Sequence, residues 1–343
     1  MVNVTWIKSI IQSWYNLFVT DAEQVRDAWK VQTSAGIKCF KQVDTAASKV
    51  IFVAAAVDYL INNGFNQTVP FIKTRYGTNV VEVPEGVFYL TDWIPGREAS
   101  MKNILDIQLA AQALARLHES SAGFHPPQNC KPKTHWGGLQ EDWQERRDQL
   151  ACFKLVAAES EQNSFSRLYL EHCEAYIRRC DDALEILDVA NYDDLVATAK
   201  RQGGLCHRDF TYHNLIVDQE GTLYVIDFDY CAHDIRAYDI GRFARKVAKH
   251  WAWQLTPVKL MLSAYDLTAK LSADEIIFIL AYLYFPQRFW RIAERYYTNQ
   301  PEYSPTELYK QLRHEIEDHS LEANFLLQMT HEISTGVLIR GRS

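Results

Sequence analysis

A stretch that alternates apolar and polar residues at roughly helical spacing opens the chain, and residues 1–18 read as an amphipathic helix. Trp29 to Gln32 and Gly36 to Val43 then read as two strands joined at the turn signal Thr33-Ser34-Ala35-Gly36, with Ile37, Cys39 and Lys41 on one face and Lys38 on the other. Thr45 to Asn63 reads as a helix that stops at Gly64. A second hairpin follows, Asn79 to Val83 and Gly86 to Trp93 around Pro84-Glu85, and Ile94-Pro95-Gly96 breaks it. From Ala99 the pattern turns helical. Met101 to Glu119 carries Ile104, Leu105, Leu109, Leu114 and Leu117 on one broad stripe, and 141–187 is rich in helix formers. A small hairpin, Leu215 to Val217 and Thr222 to Asp227, interrupts the helices, which resume after Asp239. The pattern predicts an α+β protein: a small lobe of mixed β-sheet plus helix over 1–95, and a large, mainly helical lobe over 96–343.

Charge narrows the partners. The net charge is -7 and no dense Lys/Arg run occurs, which argues against nucleic acid, whose phosphates need clustered positive charge. No apolar stretch approaches the roughly 20 residues that span a bilayer, and the apolar run Val50 to Val57 falls far short, so no membrane partner is expected. Residues 1–18 lack the long apolar core and small-residue cleavage site of a signal peptide. Seven scattered cysteines without a CxxC pair fit reduced thiols in a cytosolic protein, and Cys173 and Cys180, seven apart, fit one buried helix face. The histidines show no HExxH or similar spacing, so no structural zinc is expected.

The stretch that carries chemistry is His207-Arg208-Asp209-Phe210-Thr211-Tyr212-His213-Asn214, then the hairpin, then Ile226-Asp227-Phe228-Asp229. Asp209 and Asn214 lie five apart, and Asp227 follows thirteen later at a strand end. The hairpin folds the chain back, so Asp227 returns to the edge that holds Asn214. Hard oxygen ligands of this kind suit magnesium held together with nucleotide phosphates, which makes Asn214 and Asp227 the candidate metal ligands. Asp209 would then accept or orient the acceptor hydroxyl, and His207 would brace the loop. Asp229 is open between a second metal-site carboxylate and a surface acid. Asp239 fits a helix-start acid, His118 and His213 fit hydrogen-bonded packing residues better than acids or bases, and the aromatic run Tyr282, Tyr284, Phe285, Phe289, Trp290 fits helical core better than an acceptor pocket.

At HxDxxxxN and the downstream Ile-Asp the sequence resembles the aminoglycoside-phosphotransferase and choline-kinase branch of the protein-kinase-like superfamily. Thr211 favours a small-molecule kinase over a protein kinase. Asp92-Trp93-Ile94-Pro95-Gly96 resembles the interlobe hinge, Ala113 to His118 the first large-lobe helix, and Asp234 to Gly241 the turn after the metal loop. Within the superfamily, Trp29-Lys30-Val31 with Cys39-Phe40-Lys41, Phe165 to Leu170, and Phe285-Pro286 with Arg295-Tyr296-Tyr297 resemble the CotS-type spore-coat proteins. The resemblance implies a two-lobed kinase-like fold, ATP and Mg2+ as cofactors, and a small-molecule hydroxyl acceptor. It makes Asp209 catalytic, and Lys41, Asp92, Trp93, Asn214 and Asp227 nucleotide-binding. It also implies other spore-coat proteins as partners, and a place in the mother-cell cytoplasm with assembly into the coat. Two family features are missing: Ala22 to Trp29 holds no glycine for a phosphate loop, and the helix 45–63 holds no glutamate for Lys41, Asp58 being its only acid. These gaps motivate a second expectation, a catalytically weak or inactive kinase-like structural protein of the spore coat.

Overall fold

The computed structural model describes residues 3–128, 130, 132–159 and 163–338. Residues 1–2 of the opening helix, 160–162 of the helix-rich stretch and 339–343 of the second lobe lie outside them.

Asn3 starts α1 (Val4–Tyr15) by accepting the Trp6 amide on its side-chain oxygen at 2.9 Å, which satisfies one of the donors a helix start leaves orphaned. Next come β1 (Val19–Val25), β2 (Ala28–Thr33), β3 (Gly36–Val43), α2 (Ala47–Asn62), β4 (Val81–Val83) and β5 (Gly86–Asp92). The five strands pair antiparallel in the order β1-β2-β3-β5-β4. β1 is the strand of this sheet that the sequence pattern does not predict. It is an edge strand whose Thr20, Asp21, Glu23 and Gln24 face solvent, so it lacks the apolar alternation of its neighbours. Ile7 and Ile11 of α1 pack with Val31, Phe40, Phe88 and Leu90 on one face of the sheet, where the Phe40 and Phe88 rings stack 5.2 Å apart. The other face carries Cys39 and Lys41.

After Asp92 the chain forms β6 (Arg97–Glu98) and α3 (Ile104–Ser121). Further along, β7 (Leu205–Cys206) pairs with β10 (Ala232–His233), and β8 (Leu215–Val217) with β9 (Leu223–Val225) makes the short hairpin, β6 lying along β8. Gly96 is required there, because a Cβ at this position would lie 2.5 Å from the Val217 carbonyl oxygen. Gly96→Ala is expected to force β8 away from β6 and to cost about 1–3 kcal/mol, read as a lowered melting temperature.

The helices α4 (Leu139–Glu159), α5 (Ser164–Val189), α6 (Tyr192–Gln202), α7 (Arg236–His250), α8 (Leu255–Asp266), α9 (Ala273–Tyr284), α10 (Gln287–Tyr297), α11 (Pro305–Glu317) and α12 (His319–Ser334) make up most of the remainder. Packing groups the chain into two compact units, Met1–His135 with Ala199–Arg236, and Trp136–Thr198 with Ala237–Ser343. This partition follows contacts and differs from a division at residue 95, which we keep as a proposal for the hinge between lobes. In the second unit Phe285 and Phe289 are buried, stacked on Trp143 and Tyr176 at 4.6 and 3.7 Å, so this part of the aromatic run is core. Cys173 and Cys180 are both buried on α5, and Asp239 is buried in the first turn of α7. Among the described residues no helix is long and apolar enough to cross a membrane.

Candidate active site

The floor of the site is laid by the loop 207–214 and the hairpin behind it. Asp218 closes the hairpin turn by accepting the Thr222 amide at 2.7 Å. The returning strand then places the Ile226 amide on the Asn214 carbonyl at 2.9 Å, which seats Asp227 beside Asn214. Buried His207 spans the two segments: its Nε2 donates to the Ile226 carbonyl at 3.0 Å and its Nδ1 accepts the Asp209 amide at 3.2 Å. Asn214 Nδ2 donates both to the Asp209 carbonyl at 2.9 Å and to Asp209 Oδ2 at 3.0 Å. Arg208 and Asp227 both adopt the left-handed region, φ +63° and +65°. Non-glycine residues hold that conformation only where the surroundings impose it, and such residues gather at functional sites. Arg208 is held by an ion pair with buried Asp234, whose Oδ1 accepts the Ile235 amide at 2.8 Å.

The sheet supplies the facing wall. Lys41 on β3 is 7% exposed, and its Nζ meets Asp227 Oδ1 at 2.7 Å, Asp229 Oδ2 at 2.9 Å and Asp27 Oδ2 at 3.2 Å. Strand register explains the convergence. Ala28 and Tyr89 are the cross-strand partners of Lys41, so the residue before Ala28 and the Tyr89 hydroxyl both reach its ammonium region. Burial alone would pull the Lys41 ammonium down, but Asp229 and Asp227 outweigh it and hold it well above lysine's ordinary range. Burial pushes the Asp229 carboxyl up, and Asp227 beside it pushes the same way, against the pull of Lys41. Cys39, two residues before Lys41, has its thiol pushed up to about 11, by burial first, and stays neutral.

Lys41, Asp92, Trp93, Asn214 and Asp227 all line one cavity of about 310 Å³ in the first unit, whose walls include apolar Val25, Ala28, Val57 and Ile216. Asp209 joins them through its hydrogen bonds with Asn214. The Asp92 carboxylate is engaged by Lys38 across the sheet, and the Trp93 amide donates to the Ile37 carbonyl at 3.1 Å. His213, expected to be a hydrogen-bonded packing residue, lines the cavity and meets Glu98 at 3.1 Å.

Neither missing family feature is restored in its usual place. A two-residue turn, Arg26-Asp27, joins β1 to β2 with Arg26 at φ +58°, and Arg26 pairs with Glu98 at 2.5 Å. Among the described residues the carboxylate partners of Lys41 do not include Asp58 of α2, whose carboxyl is raised by burial against the opposing pull of Lys73. Arg26, Asp27 and Tyr89 are the site residues that sequence reasoning misses. The available signal was an acid in a glycine-free turn just before the Lys41 strand. The Asp229 side chain is 19% exposed, so the surface-acid alternative does not hold.

The donor set fits magnesium. Asn214 spends its amide N–H groups on Asp209, which leaves its oxygen, together with the Asp227 carboxylate, as the hard ligands such an ion takes.

Residues 8–329 match the model of a family described as Spore coat putative kinase YutH. Spore coat protein S of Bacillus subtilis (strain 168) is 23% identical over 276 residues, which span 80% of this chain and 78% of that protein. An aminoglycoside phosphotransferase from Alicyclobacillus acidocaldarius has a similar structure, with a TM-score of 0.85 at 20% identity, covering 95% of this chain and 96% of that one. A spectinomycin phosphotransferase, solved in complex with ADP and spectinomycin, gives 0.64 at 13% identity over 91% of this chain and 94% of its own. The fold is therefore α+β, as the element pattern predicts, and protein-kinase-like, as the resemblance implies.

Proposed function

The chain belongs to the YutH spore-coat family, and on that premise we propose that it is an ATP- and magnesium-dependent phosphotransferase. It acts on a hydroxyl of a small molecule, and works in the mother-cell cytoplasm and in association with other proteins of the spore coat. The observation that carries this reading is the meeting of Lys41 with Asp227 at 2.7 Å, across 186 residues of sequence, beside Asn214 and Asp209. A lysine, an aspartate, an asparagine and a second aspartate in one place are the parts phosphoryl transfer needs, since its catalysis is mostly positioning and charge stabilisation.

In this reading the apolar walls of the cavity receive the nucleotide base along Asp92 and Trp93, and Lys41 steadies the phosphates. Asn214 and Asp227 would hold magnesium, which when bound supplies neutralising charge to the phosphate oxygens. Asp209 takes the proton of the acceptor hydroxyl. Asn214 fixes one of its carboxylate oxygens, and His207 holds its backbone. Asp209→Asn should leave ATP binding within about twofold of wild type and lower turnover by about 100-fold or more, the usual worth of a positioned base. The experiment is an acceptor screen on hydroxyl compounds, followed by ADP release, with wild type and Asp209→Asn side by side. Turnover that survives the substitution would remove Asp209 from its role, and no turnover with any acceptor would count against the enzyme reading.

A second reading is favoured by one specific observation: Asp27 sits on Lys41 where a glycine loop would offer amides to phosphates. A kinase-like structural protein of the coat would tolerate that arrangement. Spores from cells that carry Asp209→Ala separate the two, because an intact coat with the stable variant supports the structural role and a defective coat supports catalysis.

A further inference from the structure

Lys41 needs a carboxylate to keep its flexible stem aimed at the phosphates, and α2 offers none at the customary place. Asp229 meets the need. Its Oδ2 lies 2.9 Å from Lys41 Nζ, and its Oδ1 accepts the Tyr89 hydroxyl at 3.2 Å, so both oxygens are engaged by the sheet. Tyr89 is the cross-strand partner of Lys41, which makes Lys41, Asp229 and Tyr89 a closed triangle. The Asp229 backbone is tethered as well, since Lys133 donates to its carbonyl oxygen. The helix acid, Asp58, has Lys73 as its neighbouring charge.

We infer that Asp229 is the positioning residue for Lys41, replacing the helix glutamate that this chain lacks, with Tyr89 and Lys133 fixing Asp229 in turn. The inference rests on the phosphotransferase reading for its purpose, but the contact it invokes is independent of that reading. It explains how a kinase-like site can lose its helix acid and still present an ordered lysine. It also gives the open carboxylate two residues after Asp227 a role at the lysine: one of its oxygens meets the ammonium and the other accepts from the Tyr89 phenol.

Two labels on Lys41, read by mass spectrometry, test this in wild type, Asp229→Asn, Tyr89→Phe and Asp58→Asn. The first is an acyl-phosphate derivative of ATP, which acylates an amine held at the phosphates. The second is a plain N-hydroxysuccinimide ester, which needs no nucleotide site. Positioning predicts opposite movements in Asp229→Asn. Nucleotide-directed labelling falls by about tenfold or more, since misplacing a reacting group by about 1 Å can cost up to 100-fold. Plain labelling rises severalfold as the amine loses one of its three carboxylates and the tie that Tyr89 fixes. Tyr89→Phe should give a smaller change in the same two directions, and serves if Asp229→Asn fails to fold. Asp58→Asn should match wild type in both. The inference is overturned if Asp229→Asn leaves plain labelling unchanged and lowers directed labelling only when magnesium is present, which is the behaviour of a metal ligand. It is equally overturned if Asp58→Asn reproduces the effect. Should wild type take no label from the ATP derivative, the phosphotransferase reading fails, and plain labelling still decides whether Asp229 holds Lys41.

Discussion

Asp227→Ala is expected to abolish magnesium-dependent ATP binding and to lower phosphoryl transfer by roughly 1,000-fold or more, the equivalent of the several kcal/mol that a positioned metal ion contributes. The reason is that two functions meet in one carboxylate. Asp227 is the charged member of the proposed metal pair with Asn214, and its Oδ1 is 2.7 Å from Lys41 Nζ. Removing it takes away a hard ligand and loosens the lysine together. The fold should survive. Lys41 keeps Asp229 at 2.9 Å and Asp27 at 3.2 Å, so no ammonium is left without a carboxylate. The backbone at φ +65° is uncomfortable for alanine too, which predicts a modest fall in melting temperature but no unfolding. Calorimetric titration of ATP with magnesium into wild type and variant, beside melting curves for both, checks this. Metal-dependent binding that persists in a folded Asp227→Ala protein would rule out the proposed site.

Glu322→Ala is expected to be the most destabilising single change, at about 3–5 kcal/mol, the range for removing one partner of a buried ion pair. In the second unit Glu322 on α12 is 2% exposed, and its Oε2 lies 2.7 Å from Arg179 Nη1 while its Oε1 lies 3.6 Å from Arg245 Nη1. Both guanidinium groups have further duties. Arg179 donates to the Tyr284 carbonyl at 3.0 Å, and Arg245 to those of Leu283 and Phe285 at 2.9 and 2.8 Å. They thereby satisfy the carbonyls that the end of α9 leaves without helical partners. Without Glu322, two buried cations keep backbone carbonyls, the Tyr176 and Tyr282 rings and the more distant Glu315, and lose the carboxylate that pairs with both. The exposed pair Arg313–Glu317 is different in kind, because water screens it and either side chain can swing free.

The same group has a pH signature. Burial by itself would raise the Glu322 carboxyl, but Arg179 and then Arg245 hold it below the ordinary glutamate range. A depressed folded-state value stabilises the fold above the unfolded glutamate pKa of about 4.3, and that stability is lost as pH falls through the folded value. Glu315 nearby is shifted the other way, by burial first. The clean observable is therefore the stability difference between wild type and Glu322→Gln by denaturant melts, expected to shrink as pH falls below about 4.

Much of this protein is determined locally, and that part is legible in the residues alone. The hairpin Leu215–Val217 to Leu223–Val225 needs only a turn and two short apolar runs, so Asp209, Asn214 and Asp227 could be placed together before any long-range contact was known. β3 and α2 were legible for the same reason, since apolar spacing and breakers act within a few residues. β1 was not, because an edge strand buries little and its polar outward positions erase the alternation that marks a strand. What holds Lys41 was decided only by the tertiary structure. Its three carboxylates come from positions 27, 227 and 229, and which of them meet it depends on antiparallel register and on the return of the loop after β9 to the sheet. Electrostatic pairing falls off with distance in space and is blind to distance along the chain. A sequence can therefore show that the customary helix acid is missing, and only the folded chain shows that Asp229 meets Lys41.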